Sequence, residues 1–134
     1  MSHFTQGTLE IRDEAALVAA LEELGFAGKV EVHLTPSTLY GYRGDARPER
    51  AHVIIRRQHV GRLSNDLGFR QEVDGRFTAI VSEYDRETYG PTWLTRLTDL
   101  AGVQRALRLA ASRGQRAERR VDERGRHQVV ITVR

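Results

Sequence analysis

The sequence predicts an α+β domain of two layers, a mainly antiparallel sheet with two helices packed on one face. Three observations carry this. Two stretches, near residues 14–24 and 91–111, place apolar residues at helical spacing. Several short runs between and after them alternate apolar and polar residues at period two, the pattern of half-buried strands. Glycine, proline and aspartate punctuate those runs at hairpin distances, and strands joined by hairpins pair antiparallel. The chain has 134 residues, with no linker, repeat or low-complexity segment dividing it. One domain over residues 1–134 follows.

The elements are expected in this order. Phe4 to Arg12 reads as a strand, because Leu9 and Ile11 alternate with Thr8 and Glu10. Asp13 offers a helix N-cap and Glu14 a favourable first-turn charge. Leu17, Val18, Leu21 and Leu24 give the first helix its apolar face, and Gly25 ends it, since glycine takes the left-handed conformation without a Cβ clash. Val30, Val32 and Leu34 alternate as a strand that Pro36-Ser37 interrupts. Thr38 to Arg43 is a further strand, closed by a turn at Arg43-Gly44-Asp45. Ala51 to Arg57 holds Val53, Ile54 and Ile55 in succession, which suits a central strand covered on both faces. Gln58 to Asp66 reads as a loop. Gly68–Val73 and Arg76–Tyr84 form a hairpin around Asp74-Gly75, taken as a two-residue turn. Pro91 opens the second helix, which carries Trp93, Leu94, Leu97, Leu100, Leu107 and Ala111 on one side and is expected to kink or break at Gly102. A last hairpin runs from Glu118 to Val133 through Glu123-Arg124-Gly125.

Composition narrows the function classes. With no cysteine, disulfides, thiolate metal sites and cysteine nucleophiles are all excluded, and a reducing compartment fits. No apolar run approaches the roughly 20 residues of a membrane helix, and the start of the chain lacks the features of a signal peptide. The expected location is the cytoplasm, with no membrane partner. Net charge is +3, and Lys29 is the only lysine, so the positive charge is almost all arginine, densest from Arg105 to Arg126.

Motifs for chemistry are sparse. No two of His3, His33, His52, His59 and His127 stand at helical metal-ligand spacing, and no phosphate-loop glycine pattern occurs. No nucleophile, base and orienting group can be named as a set. No catalytic, cofactor-binding or metal residue is therefore assigned, and no cofactor is expected. What remains is a set of turn carboxylates and a surface of rings and cations. Tyr40 and Tyr42 share a strand face, and Arg56 and Arg57 lie on a neighbouring segment. Rings with phosphate-binding cations suit single-stranded nucleic acid.

Several segments together carry a resemblance. They are Met1-Ser2-His3-Phe4, Leu39-Tyr40-Gly41-Tyr42-Arg43-Gly44-Asp45, Ala51-His52-Val53-Ile54-Ile55-Arg56, Asn65-Asp66-Leu67-Gly68-Phe69, Ser82-Glu83-Tyr84-Asp85 and Trp93-Leu94. In this order they resemble the cyanobacterial and plastid family called hypothetical chloroplast open reading frame thirty-five, a domain of unknown function. The resemblance implies one compact intracellular domain. It also implies a setting near ATPases of the AAA+ type, which suits an adaptor. It supplies no activity or catalytic residue. After Trp93 the chain departs from the family, whose second helix contains tyrosine and ends in Gly-Phe.

The candidate interaction site is therefore Tyr40, Tyr42, Asp45, Arg56, Arg57, Asn65, Asp66, Glu83, Tyr84 and Asp85, polar or turn residues whose convergence in space is the test of a site. The leading expectation is a non-enzymatic interaction or adaptor protein with a protein partner, an ATPase among the classes in view. The alternatives are a nucleic-acid-binding module and a metal-dependent hydrolase using the turn carboxylates. The sequence leaves the oligomeric state open.

Overall fold

The Asp13 side chain caps the first helix as its position suggests, its Oδ1 accepting from the Ala16 amide at 3.1 Å. This interaction comes from a computed structural model, which describes residues 3–132. The elements are β1 (Phe4–Thr8), α1 (Glu14–Leu21), β2 (Val30–Tyr40), β3 (Ala46–Ile55), α2 (Arg57–Val60), β4 (Leu67–Gln71), β5 (Phe77–Ser82), α3 (Arg86–Tyr89), α4 (Pro91–Ser112), β6 (Arg116–Val121) and β7 (His127–Thr132). Five strands form one antiparallel sheet in the order β1-β5-β4-β3-β2, and β6 and β7 form a separate pair. The α+β class holds.

α1 and α4 cover one face of the sheet. Leu17, Ala20 and Leu21 of α1 and Leu97, Leu100 and Ala101 of α4 share a core with Val53, Ile55, Leu67, Phe69, Phe77, Ala79 and Val81. Val53, Ile54 and Ile55 are all fully buried, so β3 is covered on both sides. The second cover is not a helix. Phe4, Leu39, Ala51, Ile54 and Ile80 form a smaller core on the other face. Leu39 and Ala51 belong to the far half of the β2–β3 hairpin, which doubles back onto the sheet. Gly68 of β4 makes room for it, because a Cβ there would stand 2.8 Å from both Ala51 Cβ and Leu39 Cδ1.

The bend that allows this lies where the sequence suggested a break. β2 is one strand of 11 residues. Its register jumps from Val32↔Val53 to Ser37↔Ala51, so Pro36 sits in a bulge on an edge strand, where its missing amide costs no ladder bond. The expected two strands are thus one bent strand.

Other boundaries also move. β1 ends at Thr8 rather than Arg12, because Phe77 bonds the backbone of both Leu9 and Ile11 (2.7 and 2.9 Å) and the regular ladder stops there. After α1 the chain widens into a π-type turn over Glu22–Phe26, with Gly25 at φ 110°. β3 stops at Ile55 instead of Arg57. The expected loop 58–66 overlaps one helical turn, Arg57–Val60, and β5 stops at Ser82. α4 runs unbroken through Gly102, because Ala101 and Val103 on either side are buried and hold the helix to the core.

The three hairpin turns are copies of one design. At Gly41–Asp45, Glu72–Arg76 and Asp122–Arg126 the first amide bonds the fifth carbonyl, and the fourth residue's amide bonds the first carbonyl. That fourth residue is Gly44, Gly75 or Gly125, at φ 77°, 92° and 76°. These are three-residue loops with a glycine bulge, not the two-residue turn expected at Asp74-Gly75. A two-residue turn of that kind needs two positive φ angles, and no non-glycine residue among those described has one. Met1, Ser2 and Val133, read above as parts of the motif and the last strand, lie outside the described residues.

Candidate functional site: a buried polar clamp at the hairpin tip

The doubled-back hairpin brings its tip against the segment before β4, where Asn65 and Asp66 stand. Both are buried, at 0% and 1% exposure. A buried carboxylate must find donors, and Asp66 finds three. Its Oδ2 accepts from the Tyr40 amide at 2.7 Å and from Arg56 Nη1 at 2.9 Å, and its Oδ1 accepts from the Arg57 amide at 2.7 Å. Its own amide donates to the Tyr40 carbonyl at 3.0 Å. Asn65 works one residue further along. Its Oδ1 accepts from the Tyr42 amide at 2.8 Å, and its Nδ2 donates to Ser82 Oγ at 2.9 Å.

Asp85, 3% exposed, completes the arrangement from the end of β5. Its Oδ2 accepts from Ser82 Oγ at 2.7 Å and from the Asn65 amide at 3.0 Å. Its carbonyl accepts from Thr88 and Tyr89, which starts α3. One polar network thus joins the tip of β2–β3, the end of β3, the start of β4 and the end of β5.

The arginines close the network from the outside. Arg56 donates to Glu31 at 2.9 Å and to the Thr38 carbonyl at 2.9 Å, besides Asp66. Burial works against its charge, but the bonds to Glu31 and Asp66 outweigh burial and raise its pKa. Glu31 moves the other way, its carboxyl held below the ordinary value chiefly by the Arg56 bond, with a smaller push from His33. Arg57 Nη1 donates to the Tyr42 carbonyl at 2.9 Å. The Arg56 and Arg43 guanidinium carbons lie 5.6 and 5.2 Å from the Tyr40 and Tyr42 ring centres, within cation–π range.

Of the ten candidate residues, the structure gathers Tyr40, Tyr42, Arg56, Arg57, Asn65, Asp66 and Asp85 into this clamp. Asp45 lies at the tip but turns aside to Arg47 at 3.4 Å; its Oδ1, with Arg47 Nε and Glu49 Oε1, is buried without a hydrogen-bond partner. Glu83 and Tyr84 stand outside. Glu83 faces His3 at 3.8 Å, and Tyr84 is 52% exposed. They fall between Ser82 and Asp85, whose side chains turn inward, so sequence adjacency misled. Glu31, Thr38 and Ser82 belong to the clamp and were absent from the candidate set. Ser82 carried a signal, as a hydroxyl at the last position of the buried strand Phe77–Ser82.

Chemically the clamp is a fastener. Asp66 faces two backbone amides and Arg56, and Asp85 faces the Ser82 hydroxyl and the backbone and side-chain amides of Asn65. Among the described residues no three histidine, aspartate or glutamate side chains gather as a metal-binding set. Besides a cleft of about 330 Å³ that Asp85 borders, two clefts lie on two sides of α4. One, of about 500 Å³, lies between α4 and β1. The other, of about 820 Å³, lies between α4 and the β6–β7 hairpin. Clamp residues line neither. Among the described residues, no helix is long and apolar enough to cross a membrane.

Comparison of the chain with protein-family models, with curated proteins and with solved structures gives no match.

Proposed function

We propose that this chain is a protein-interaction module, an adaptor accessory to a larger machine, with no chemistry of its own. One observation supports this above the others. The buried polar side chains Asn65, Asp66 and Asp85 are engaged in holding backbone, while the concave surfaces flanking α4 are open and lined by threonines, small apolar side chains and a few charges. Such surfaces suit docking. The resemblance to the plastid family supplies the class of partner, an ATPase of the AAA+ type.

The test is affinity capture of the tagged protein from its native cells, with and without nuclease treatment. Nuclease-resistant recovery of an ATPase supports the adaptor reading. Turnover of a nucleotide or phosphoester by the purified protein, lost in Asp85→Ala without unfolding, would sink it. Nucleic-acid binding is the second reading, favoured by the two guanidinium–tyrosine pairs at the hairpin tip. It predicts capture that nuclease abolishes and affinity that falls steeply with salt.

A further inference from the structure

The two edges of the five-stranded sheet are built differently. β2, at one edge, carries Glu31, His33, Pro36 and the register bulge, all devices that discourage another strand from adding. β1, at the other, has none of them. Its sequence Phe4-Thr5-Gln6-Gly7-Thr8 holds no charge and no proline, and it pairs with β5 over five residues in unbroken register. The phase of that ladder follows from its ends. Glu83 donates to the His3 carbonyl and Leu9 donates to the Phe77 carbonyl. Alternation then turns the backbone groups of Phe4, Gln6 and Thr8 away from β5, toward the side where the sheet has no strand.

The cleft of about 500 Å³ lies directly beside this edge. Thr5 and Gly7 pair with Val81 and Ala79, which face the helices, so the β1 side chains under α4 are small. A Cβ built on Gly7 would meet nothing within 4 Å. The cleft is lined by Ala79, Val81, Tyr89 and Leu94 around Thr5 and Gly7. Its ends differ in charge. Arg86 lies on the side where β5 leaves the sheet beside Phe4. Glu10, in an exposed pair with Arg76, lies where β1 ends.

We propose that β1 is the seat of an added strand: an extended segment of a different protein pairs antiparallel with β1 and places alternate apolar side chains into the cleft under α4. This deepens the interaction reading above and rests on it. The unpaired backbone calls for a strand, and the cleft calls for side chains larger than those of β1. A second copy of this chain would bring only another Thr5 and Gly7 to the cleft and leave it unfilled. An antiparallel segment enters beside Glu10 and leaves beside Arg86, so the fitting partner is basic before its apolar run and acidic after it.

The probe is a fluorescein-labelled nine-residue peptide of alternating valine and threonine, with two lysines at its start and two glutamates at its end. Binding is read by anisotropy. Replacing the valines by serine should weaken it more than about tenfold, since each lost methyl removes apolar burial. Exchanging the charged ends should weaken it severalfold, the more so at low salt. Gln6→Pro removes an outward amide without touching the β5 ladder, so it should keep the wild-type melting temperature and lose binding. Gly7→Leu fills the cleft and should do the same by a separate route, which keeps the test intact if the proline variant misfolds. Equal binding of the valine and serine peptides, or wild-type binding by a folded Gly7→Leu protein, overturns the proposal. So does a dimer of the free chain that Gln6→Pro dissolves, which would make a second copy the occupant. Capture of the same partner from native cells by wild-type and Gln6→Pro protein alike would remove the edge proposal and leave the adaptor reading standing.

Discussion

The β2–β3 and β6–β7 hairpins share one turn design and differ in what fastens them. In both, glycine at the fourth turn position takes positive φ and the same pair of backbone bonds closes the loop. The first hairpin doubles over the sheet, buries Leu39 and Ala51, and is pinned by Asp66, Asn65 and Arg56. The second leaves Val121, Val130 and Ile131 well exposed. It packs against α4 and is tied beyond that helix by Arg119, which meets Glu23 through two bonds of 2.7 Å. The turn decides that a hairpin forms. Distant side chains decide how firmly it is held.

The largest break in this contrast comes from Asp66→Ala. It leaves the Tyr40 and Arg57 amides and the Arg56 guanidinium without their buried acceptor. Removing one partner of such a pair costs about 3–5 kcal/mol, which chemical denaturation would measure. Hydrogen exchange separates the hairpins. Protection at Tyr40, Tyr42 and Arg57 should fall, while that of Glu118 and Val130, a bonded pair of the second hairpin, falls only as far as the global stability does. Equal loss in both hairpins at native stability would mean the clamp is not local.

Gly68→Ala probes the same hairpin through packing. The added carbon stands 2.8 Å from Ala51 Cβ and Leu39 Cδ1, so hairpin and sheet must separate. Overpacking of this kind costs about 1–3 kcal/mol. A wild-type denaturation midpoint would show that the doubled hairpin yields freely.

These positions mark what the sequence could convey. The Asp13 cap, the hairpin glycines and the α1 stripe are local signals, and they place those elements well. The doubling of β2 is not local. Pro36 reads as a stop, and only the burial of Leu39 against a glycine 29 positions away turns it into a bend. Gly102 misled in the opposite direction, because helix propensity is weak against the buried Ala101 and Val103. The clamp was half legible. Asn65, Asp66 and Asp85 stand out as turn residues, but nothing local says that they serve backbone amides on another hairpin. Strand parity could have flagged Ser82.

Gly102→Ala sharpens the weaker side. Gly102 is exposed on α4, with nothing within 4 Å of a new Cβ, in the helix that carries β6–β7. Alanine should stabilise the protein by about 0.5–1 kcal/mol through helix propensity alone. A loss instead would mean that the cleft between α4 and β7 must stay open.

The smallest effect is the most specific to the C-terminal hairpin. The Arg119 bonds are the main cause holding the Glu23 carboxyl below its ordinary 4.5, in spite of some burial. A depressed carboxylate stabilises the fold fully above its unfolded value, and that contribution disappears as pH falls through the lower folded value. The Glu23–Arg119 pair should therefore hold β6–β7 at neutral pH and release it below about pH 4.5. Glu31, depressed by Arg56, weakens in the same window, so wild-type protein alone cannot separate the two hairpins. Glu23→Gln can. It should cost no more than about 1 kcal/mol at pH 7, as partly exposed pairs do. It should also flatten the acid limb of hydrogen exchange at Glu118 and Val130, leaving the acid limb at Tyr40 unchanged. An unaltered limb at Glu118 would mean that packing on α4, rather than the ion pair, holds the second hairpin.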